Sequence, residues 1–211
     1  MNRLQKWSLL VFICVVGNVA LLAQNKTKEA LAMKKNAEAV DFYIENMDNP
    51  TEIRKAITML DEAIAIDPDY DMSYLNKAQY LSICGDTQKA ITVLEAAVKR
   101  FPESSRFSFS LGMLYEKIGH TAQAKTAFKQ ALLKFEAYAQ KEKIDKNVAD
   151  AERAYLNFFI DHNVTEALNK LNDVAAQQKD ADKYSADNTK YYIDELSQSS
   201  YQDIVSRYWH R

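Results

Sequence analysis

Histidine and cysteine are the side chains of this sequence best suited to nucleophilic or metal chemistry. The histidines are His120, His162 and His210, and the cysteines are Cys14 and Cys84. No two of them stand at the short spacings that zinc sites use. His120 and His162 instead fall between predicted helices, where an exposed capping role is expected. The sequence therefore predicts no metal site.

Carboxylates are plentiful, but their placement does not indicate acid–base catalysis. Neighbouring pairs such as Asp61-Glu62 and Asp67-Pro68-Asp69 are typical of solvated helix faces and helix caps. The sequence also lacks a Walker loop, a G-x-G-x-x-G fingerprint, a G-x-S-x-G elbow and an H-E-x-x-H motif. We therefore expect a protein without enzymatic activity and without a cofactor.

The overall composition points to a helical protein. The 211 residues include only 4 Gly and 3 Pro, whereas average usage would give about 25 of the two together. This scarcity argues against sandwiches and barrels, which need many tight turns. The formal net charge of -2 provides no electrostatic case for binding nucleic acid or an anionic membrane surface.

Residues 1–23 have the pattern of a secretory signal. Arg3 and Lys6 form a basic start, and residues 7–23 carry no charge. Ala23 supplies a small residue before a cut at Gln24. The alternative is an uncleaved inner-membrane anchor, although 17 apolar residues are few for a span of about 30 Å. Either way, we expect export to the periplasm or cell envelope.

The cysteines fit this expectation without proving it. A lipoprotein signal would use Cys14, but Ile13 precedes it where a small residue is required. Removal of residues 1–23 would leave Cys84 alone, and one thiol cannot form an internal disulfide. We expect Cys84 to lie at a helix end as a small apolar side chain, with a reactive thiol as the alternative.

A period of 34 residues organises the middle of the chain. Residues 71–104 and 105–138 align without a gap, and the same six positions carry related residues. The aligned pairs are Tyr74/Ser108, Ala78/Gly112, Gly85/Gly119, Ala90/Ala124, Leu94/Phe128 and Ala97/Ala131.

This pattern predicts repeated helical hairpins. Gly85 and Gly119 can adopt the positive φ that ends a first helix. The small residues let the two helices of each repeat approach closely, and Leu94 or Phe128 fills the space above them. No hairpin buries its apolar face alone, so the repeats must stack as a solenoid.

These residues resemble the tetratricopeptide repeat (TPR) family. The family prefers small residues at repeat positions 8, 20 and 27 and a large apolar residue at position 24, and both repeats satisfy this. Pro102 stands at position 32 of the first of them, as is common in the family. Two departures occur in the second: Glu136 replaces that proline, and Ser108 replaces the usual large residue at position 4.

The same phase extends in both directions. We predict an all-α, TPR-like solenoid of about four repeats over residues 37–181, with a helical lead-in at residues 24–36 and a C-terminal capping helix at residues 182–211. The nine residues 139–147 are expected to extend the second helix of the third repeat and then to connect, with a binding loop as the alternative. The repeats are numbered 1 to 4 and span residues 37–70, 71–104, 105–138 and 148–181.

The resemblance implies a concave groove lined by the first helix of each repeat. Carried over position by position, it predicts a partner-binding groove of mixed character, acidic in repeat 1 and apolar in the middle. Its residues are Asp41, Glu45, Met72, Leu75, Asn76, Gln79, Arg106, Phe109, Met113, Glu116, Leu156 and Phe159. Chaperone-adaptor members of the family bind a terminal carboxylate there, but Asp41 and Glu45 would repel one.

The resemblance therefore implies a protein-binding module whose partner offers an apolar helix or an extended segment. One alternative is that residues 27–36 of the same chain fill the groove. A second is a structural subunit, held to a membrane complex by residues 7–23 and by the aromatic C-terminus. A homo-oligomer is also compatible with the sequence, and no nucleic-acid partner is expected.

Overall fold

The computed structural model describes the backbone of residues 3–178 and 183–209 and the side chains of residues 24–178 and 185–209. This part of the chain is all-α, with no strand among the described residues. The predicted signal or anchor at residues 1–23 lies outside the described side chains. Among the residues that are described, no helix is long and apolar enough to span a bilayer. The helices are α1 (Arg3–Glu45), α2 (Pro50–Ile66), α3 (Met72–Ile83), α4 (Thr87–Arg100), α5 (Ser105–Lys117), α6 (Thr121–Glu142), α7 (Lys146–Asp161), α8 (Val164–Gln177), α9 (Lys183–Gln198) and α10 (Tyr201–Tyr208).

The helices group into two compact units. The N-terminal unit is Met1–Lys77 and the C-terminal unit is Ala78–Arg211, with the boundary inside α3. In the N-terminal unit, α1 packs against α2. Ala39 of α1 and Ala56 and Leu60 of α2 are fully buried. The small alanines allow the close helix contact that the repeat pattern predicts.

The turn before α2 follows the chemistry of its residues. Asn49 is the N-cap, and its side-chain oxygen accepts hydrogen bonds from the backbone N–H groups of Thr51 and Glu52. Pro50 occupies the first helical turn, where a missing N–H costs nothing. The turn thus satisfies two of the unpaired N–H groups that every helix start carries.

In the C-terminal unit, the glycines end helices as predicted. Gly85 has φ 80° and Gly119 has φ 75°. The N–H of the next residue reaches back across each turn, from Asp86 to the Leu81 carbonyl and from His120 to the Tyr115 carbonyl, both at 2.8 Å. This is the Schellman geometry, and it requires a left-handed residue that glycine provides without strain.

Helices α5 and α6 approach each other closely at Gly112. Phe128 of α6 is fully buried and lies over Gly112 of α5. A Cβ added at Gly112 would be 2.4 Å from a ring carbon of Phe128. This repeat therefore places a glycine opposite a phenylalanine, whereas the preceding repeat carries Ala78 and Leu94 at the equivalent positions.

Helix α6 extends beyond the repeat length, as expected for residues 139–147. It runs to Glu142 and ends at Lys143, which has φ 53°. Asp145 then caps α7, since its side chain accepts hydrogen bonds from the N–H groups of Asn147 and Val148. The inserted residues thus form helix and a short connection.

The C-terminal segment forms two helices instead of the single helix expected. The break is at Ser200, whose hydroxyl accepts a hydrogen bond from the Asp203 N–H while the Asp203 carboxylate accepts one from the Ser200 N–H. This reciprocal capping box starts a new helix because it satisfies two N–H groups at once. Helix α9 packs on α7 and α8, and α10 packs on α5.

Candidate functional site

In the N-terminal unit, the predicted groove residues differ in exposure. Asp41 and Glu45 on α1 are exposed, whereas Met72 and Leu75 on α3 are half-buried. The two carboxylates are therefore free to face a partner's cations, and the two apolar side chains retain some accessible surface.

Asn76, also predicted for the groove, is engaged within this unit. Its Nδ2 donates a 2.9 Å hydrogen bond to Oδ1 of Asn36, and Ser73 Oγ donates to the same oxygen at 3.3 Å. Asn36 belongs to the predicted lead-in, which is continuous with α1. At Asn76, this contact therefore agrees with the alternative in which residues 27–36 of the same chain fill the groove.

In the C-terminal unit, α5 and α7 bring several predicted residues together. The ring of Phe109 stands edge-on to the ring of Phe159, with centroids 5.0 Å apart, and is tilted on Phe128 at 5.5 Å. Phe109 also packs against the buried cluster that contains Leu156. Met113 is fully buried and Phe159 is 1% exposed, so neither offers free surface in this conformation.

Helix α10 lies on this face and contacts the predicted groove positions. The ring of Tyr208 stands edge-on to Phe109 at 5.6 Å, and its hydroxyl is 2.8 Å from Ser110 Oγ. The ring of Tyr201 lies 5.9 Å from Phe159 and 5.6 Å from Phe158. We call the surface formed by Phe109, Ser110, Phe158 and Phe159 the α5–α7 face.

Helix α9 covers a neighbouring part of α7. The rings of Tyr155 and Tyr192 stack 4.1 Å apart. The hydroxyl of Tyr192 donates to the Glu152 carboxylate, and that of Tyr155 donates to Glu195. Burial raises the pKa of Glu152 above its usual range, opposed in part by the hydrogen bond from Tyr192. These contacts hold the capping helix on repeat 4.

The remaining predicted residues lie at the edges of the C-terminal unit's first helices. Gln79 is half-buried and Arg106 is exposed. Burial raises the pKa of Tyr201, and the nearby carboxylate of Glu116 raises it further. Of the groove residues predicted in this unit, Arg106 is the one that is exposed.

The occupants of the α5–α7 face were not among the predicted site residues. Ile204, Val205 and Trp209 are buried at 2%, 3% and 2% exposure, and Tyr201 and Tyr208 supply the ring contacts described above. The apolar stripe of residues 193–208 indicated a packed helix. The S-x-x-D sequence at Ser200 was the signal that could have separated α10 from α9.

Among the described side chains, no group of three His, Cys, Asp or Glu residues could hold a metal ion. His120 caps the start of α6 and His162 caps the end of α7, and both are exposed, as predicted. Cys84 follows α3 and is half-buried with no disulfide. Tyr184 and His210, two other residues of the C-terminal segment, lie outside the described side chains.

Comparisons with known proteins identify the repeats. Two family models, each described as a tetratricopeptide repeat, match residues 59–92 and residues 85–142. No curated protein gives a significant match. Similar solved structures include the nearly identical TPR-like repeats of a Podosopora anserina protein assigned as a kinesin light chain, and a single-substitution variant of it. Both have 17% identity and a TM-score of 0.49, and the match covers 88% of this chain and 90% of that chain.

Proposed function

We propose that this chain, whose residues 59–92 and 85–142 match tetratricopeptide repeat models, is a non-catalytic protein-binding adaptor of the bacterial cell envelope. In this proposal, a helical segment of a partner binds at the α5–α7 face. Tetratricopeptide repeats mediate protein–protein interactions and are generally non-catalytic scaffolds. The partner, the envelope location and the binding face are the parts that the proposal adds.

The observation that carries the proposal is the docking of α10. This helix has 8 residues, and helices shorter than about 12 residues are marginal in water on their own. Its order therefore depends on what it binds. The α5–α7 face supplies aromatic rings and the Ser110 hydroxyl. Helix α10 contributes two tyrosines, which contact this face, and buried aliphatic side chains. The face is thus suited to a short amphipathic helix.

A partner helix of the same chemistry would compete with α10. A tethered helix competes at an effective concentration on the order of millimolar. A partner present at micromolar concentration must therefore bind about a thousandfold more tightly, or by about 4 kcal/mol. Such a partner would have to place an aromatic side chain against Phe109 and a polar group within hydrogen-bond distance of Ser110, as Tyr208 does.

The envelope location rests on the sequence of residues 1–23. A basic start followed by an uncharged apolar run is typical of secretory signals. Mass spectrometry of the purified native protein tests this part. A mature N-terminus near Gln24 supports a cleaved signal, whereas an intact residue 1 supports the anchored structural subunit.

Site-specific crosslinking in cells tests the binding face. A photoreactive amino acid at Arg106, which is exposed beside this face, is compared with one at Lys129, which is exposed on α6. We expect a protein partner to crosslink at position 106 and not at position 129. When the crosslinking is repeated in a lysate, a synthetic peptide of residues 199–211 added before irradiation should reduce that crosslink. A crosslink at both positions, or one that the peptide leaves unchanged, contradicts the proposal.

A further inference from the structure

A second site is indicated near a core position at which repeats 2 and 3 carry side chains of different size. Tyr74 and Ser108 are separated by 34 residues and occupy the same place in successive repeats. Tyr74 is 9% exposed, and its hydroxyl donates to the Pro68 carbonyl at 3.1 Å. Ser108 is 2% exposed, so the position is buried although its side chain is small, while the neighbouring Phe107 is larger than its equivalent Ser73.

Ser108 lines an open cavity between α4, α5 and α6. It measures about 480 Å³ and is lined by Ser108 and by apolar groups that include Val98, Leu111 and Ala127. Cavities of roughly 300–1,000 Å³ with such a lining are typical of small-molecule sites. It lies in the C-terminal unit, and none of the four residues that define the α5–α7 face lines it.

Lys134 adds a single positive charge to the cavity. Its Nζ is buried and has no hydrogen-bond partner among the described residues, and it lines this cavity as well as a neighbouring one of about 270 Å³. The carboxylate of Glu103 also lines the smaller cavity but pairs with Lys141, at 3.4 Å. Desolvation lowers the pKa of Lys134. A buried, unpaired ammonium is costly, and an anion beside it removes that cost.

We propose that this cavity binds a fatty acid of medium chain length. The alkyl chain lies against Ser108 and the apolar lining, and the carboxylate pairs with Lys134 Nζ. An apolar cavity alone would accept any alkyl chain, whereas the buried ammonium selects an anionic head group. This site does not depend on the proposed function, since the two use different surfaces.

Titration calorimetry of the full chain with dodecanoate tests the proposal. Dodecanol and dodecyltrimethylammonium serve as head-group controls. We expect one dodecanoate per chain and affinity for dodecanoate at least tenfold higher than for either control, because a charge-assisted hydrogen bond is the difference. No binding to the folded chain, or equal affinity for all three compounds, overturns the proposal.

Two variants locate the ligand. Ser108→Tyr restores the residue type of repeat 2 and should abolish binding without loss of thermal stability. Lys134→Met keeps the apolar stem and should weaken dodecanoate at least tenfold while leaving dodecanol unchanged. Lys129→Met, which removes an exposed charge from the same helix, should have no effect.

The variants also decide the outcome if one of them folds poorly. Should Ser108→Tyr reduce the thermal stability, Ser108→Leu provides a smaller filler with the same expected loss of binding. Unchanged dodecanoate affinity in a folded filler variant, or in Lys134→Met, overturns the proposed site.

Discussion

The contact between Gly112 and Phe128 makes a sharp test of how the repeats pack. Substituting Gly112→Ala places a Cβ 2.4 Å from a ring carbon of Phe128, which is well inside van der Waals contact. The ring is fully buried, so it cannot move aside into solvent. Either the ring rotates against its neighbours or α5 and α6 separate.

Two opposing effects determine how much Gly112→Ala changes the free energy of unfolding. Overpacking of a core typically costs about 1–3 kcal/mol. Alanine in a helix interior is favoured over glycine by about 1 kcal/mol. Because the clash involves a rigid buried ring, we place the cost in the upper half of its range. The net loss of unfolding free energy is then about 1–2 kcal/mol, or roughly 2–8 °C in Tm for a chain of this size.

The preceding repeat supplies the compensating change. It carries Ala78 and Leu94 at the equivalent positions, so Gly112→Ala combined with Phe128→Leu recreates the residue pair of the preceding repeat. Phe128→Leu alone should cost about 1–2 kcal/mol through the cavity it leaves. The double variant should be at least ~1 kcal/mol more stable than the sum of the single effects predicts.

Urea unfolding of the four proteins, followed by circular dichroism, measures this coupling. Gly112→Ala as stable as the unsubstituted chain, or more stable, would refute the packing argument. Strict additivity of the two substitutions would also refute it, because the two positions would then not be in contact.

Two further predictions concern the C-terminal helices. Burial raises the pKa of Glu152, so the folded state favours its protonated form and this group's contribution to stability falls as the pH rises through the raised pKa. Glu152→Gln should therefore stabilise the protein more at neutral pH than at about pH 4, and a gain in urea midpoint that does not depend on pH would contradict this. Ser200→Ala removes the capping hydroxyl of α10 and should lower the local stability of that helix by about 1 kcal/mol. Amide hydrogen exchange should then be roughly fivefold faster in α10 and unchanged in α7. Equal exchange rates in the variant and the unsubstituted protein would contradict this.

Much of the fold follows from residue types that have a local meaning. Gly85 and Gly119 end their helices because that turn requires a left-handed residue, and both glycines can be recognised in the sequence. The small residues Ala78 and Gly112 predict close helix contacts, because a small side chain leaves room for the neighbouring helix. Asn49 and Pro50 mark the start of α2 through capping chemistry. Each of these signals involves residues close together in the chain.

The candidate site could not be derived in the same way. The contact between Ser110 and Tyr208 joins residues 98 positions apart, and a single sequence gives no measure of which distant stripe packs on which face. Ser200 and Asp203 carry a capping-box pattern within a continuous apolar stripe, and the stripe alone predicts one unbroken helix. Ser108 was visible as a departure from the repeat pattern, yet a cavity depends on how α4 and α6 pack around it.

The most direct test of the central claim uses α10 itself as the ligand. A fluorescein-labelled peptide of residues 199–211 is titrated with a chain of residues 24–198 and with a chain of residues 24–211. Circular dichroism shows that both are folded, and a peptide with Tyr208→Ala is the matched control. Fluorescence polarisation should show saturable binding to the shorter chain, binding at least tenfold weaker to the longer chain, and weaker binding of the control peptide. A folded shorter chain that does not bind the peptide, or equal binding by both chains, would contradict the claim that the α5–α7 face is a helix-binding groove.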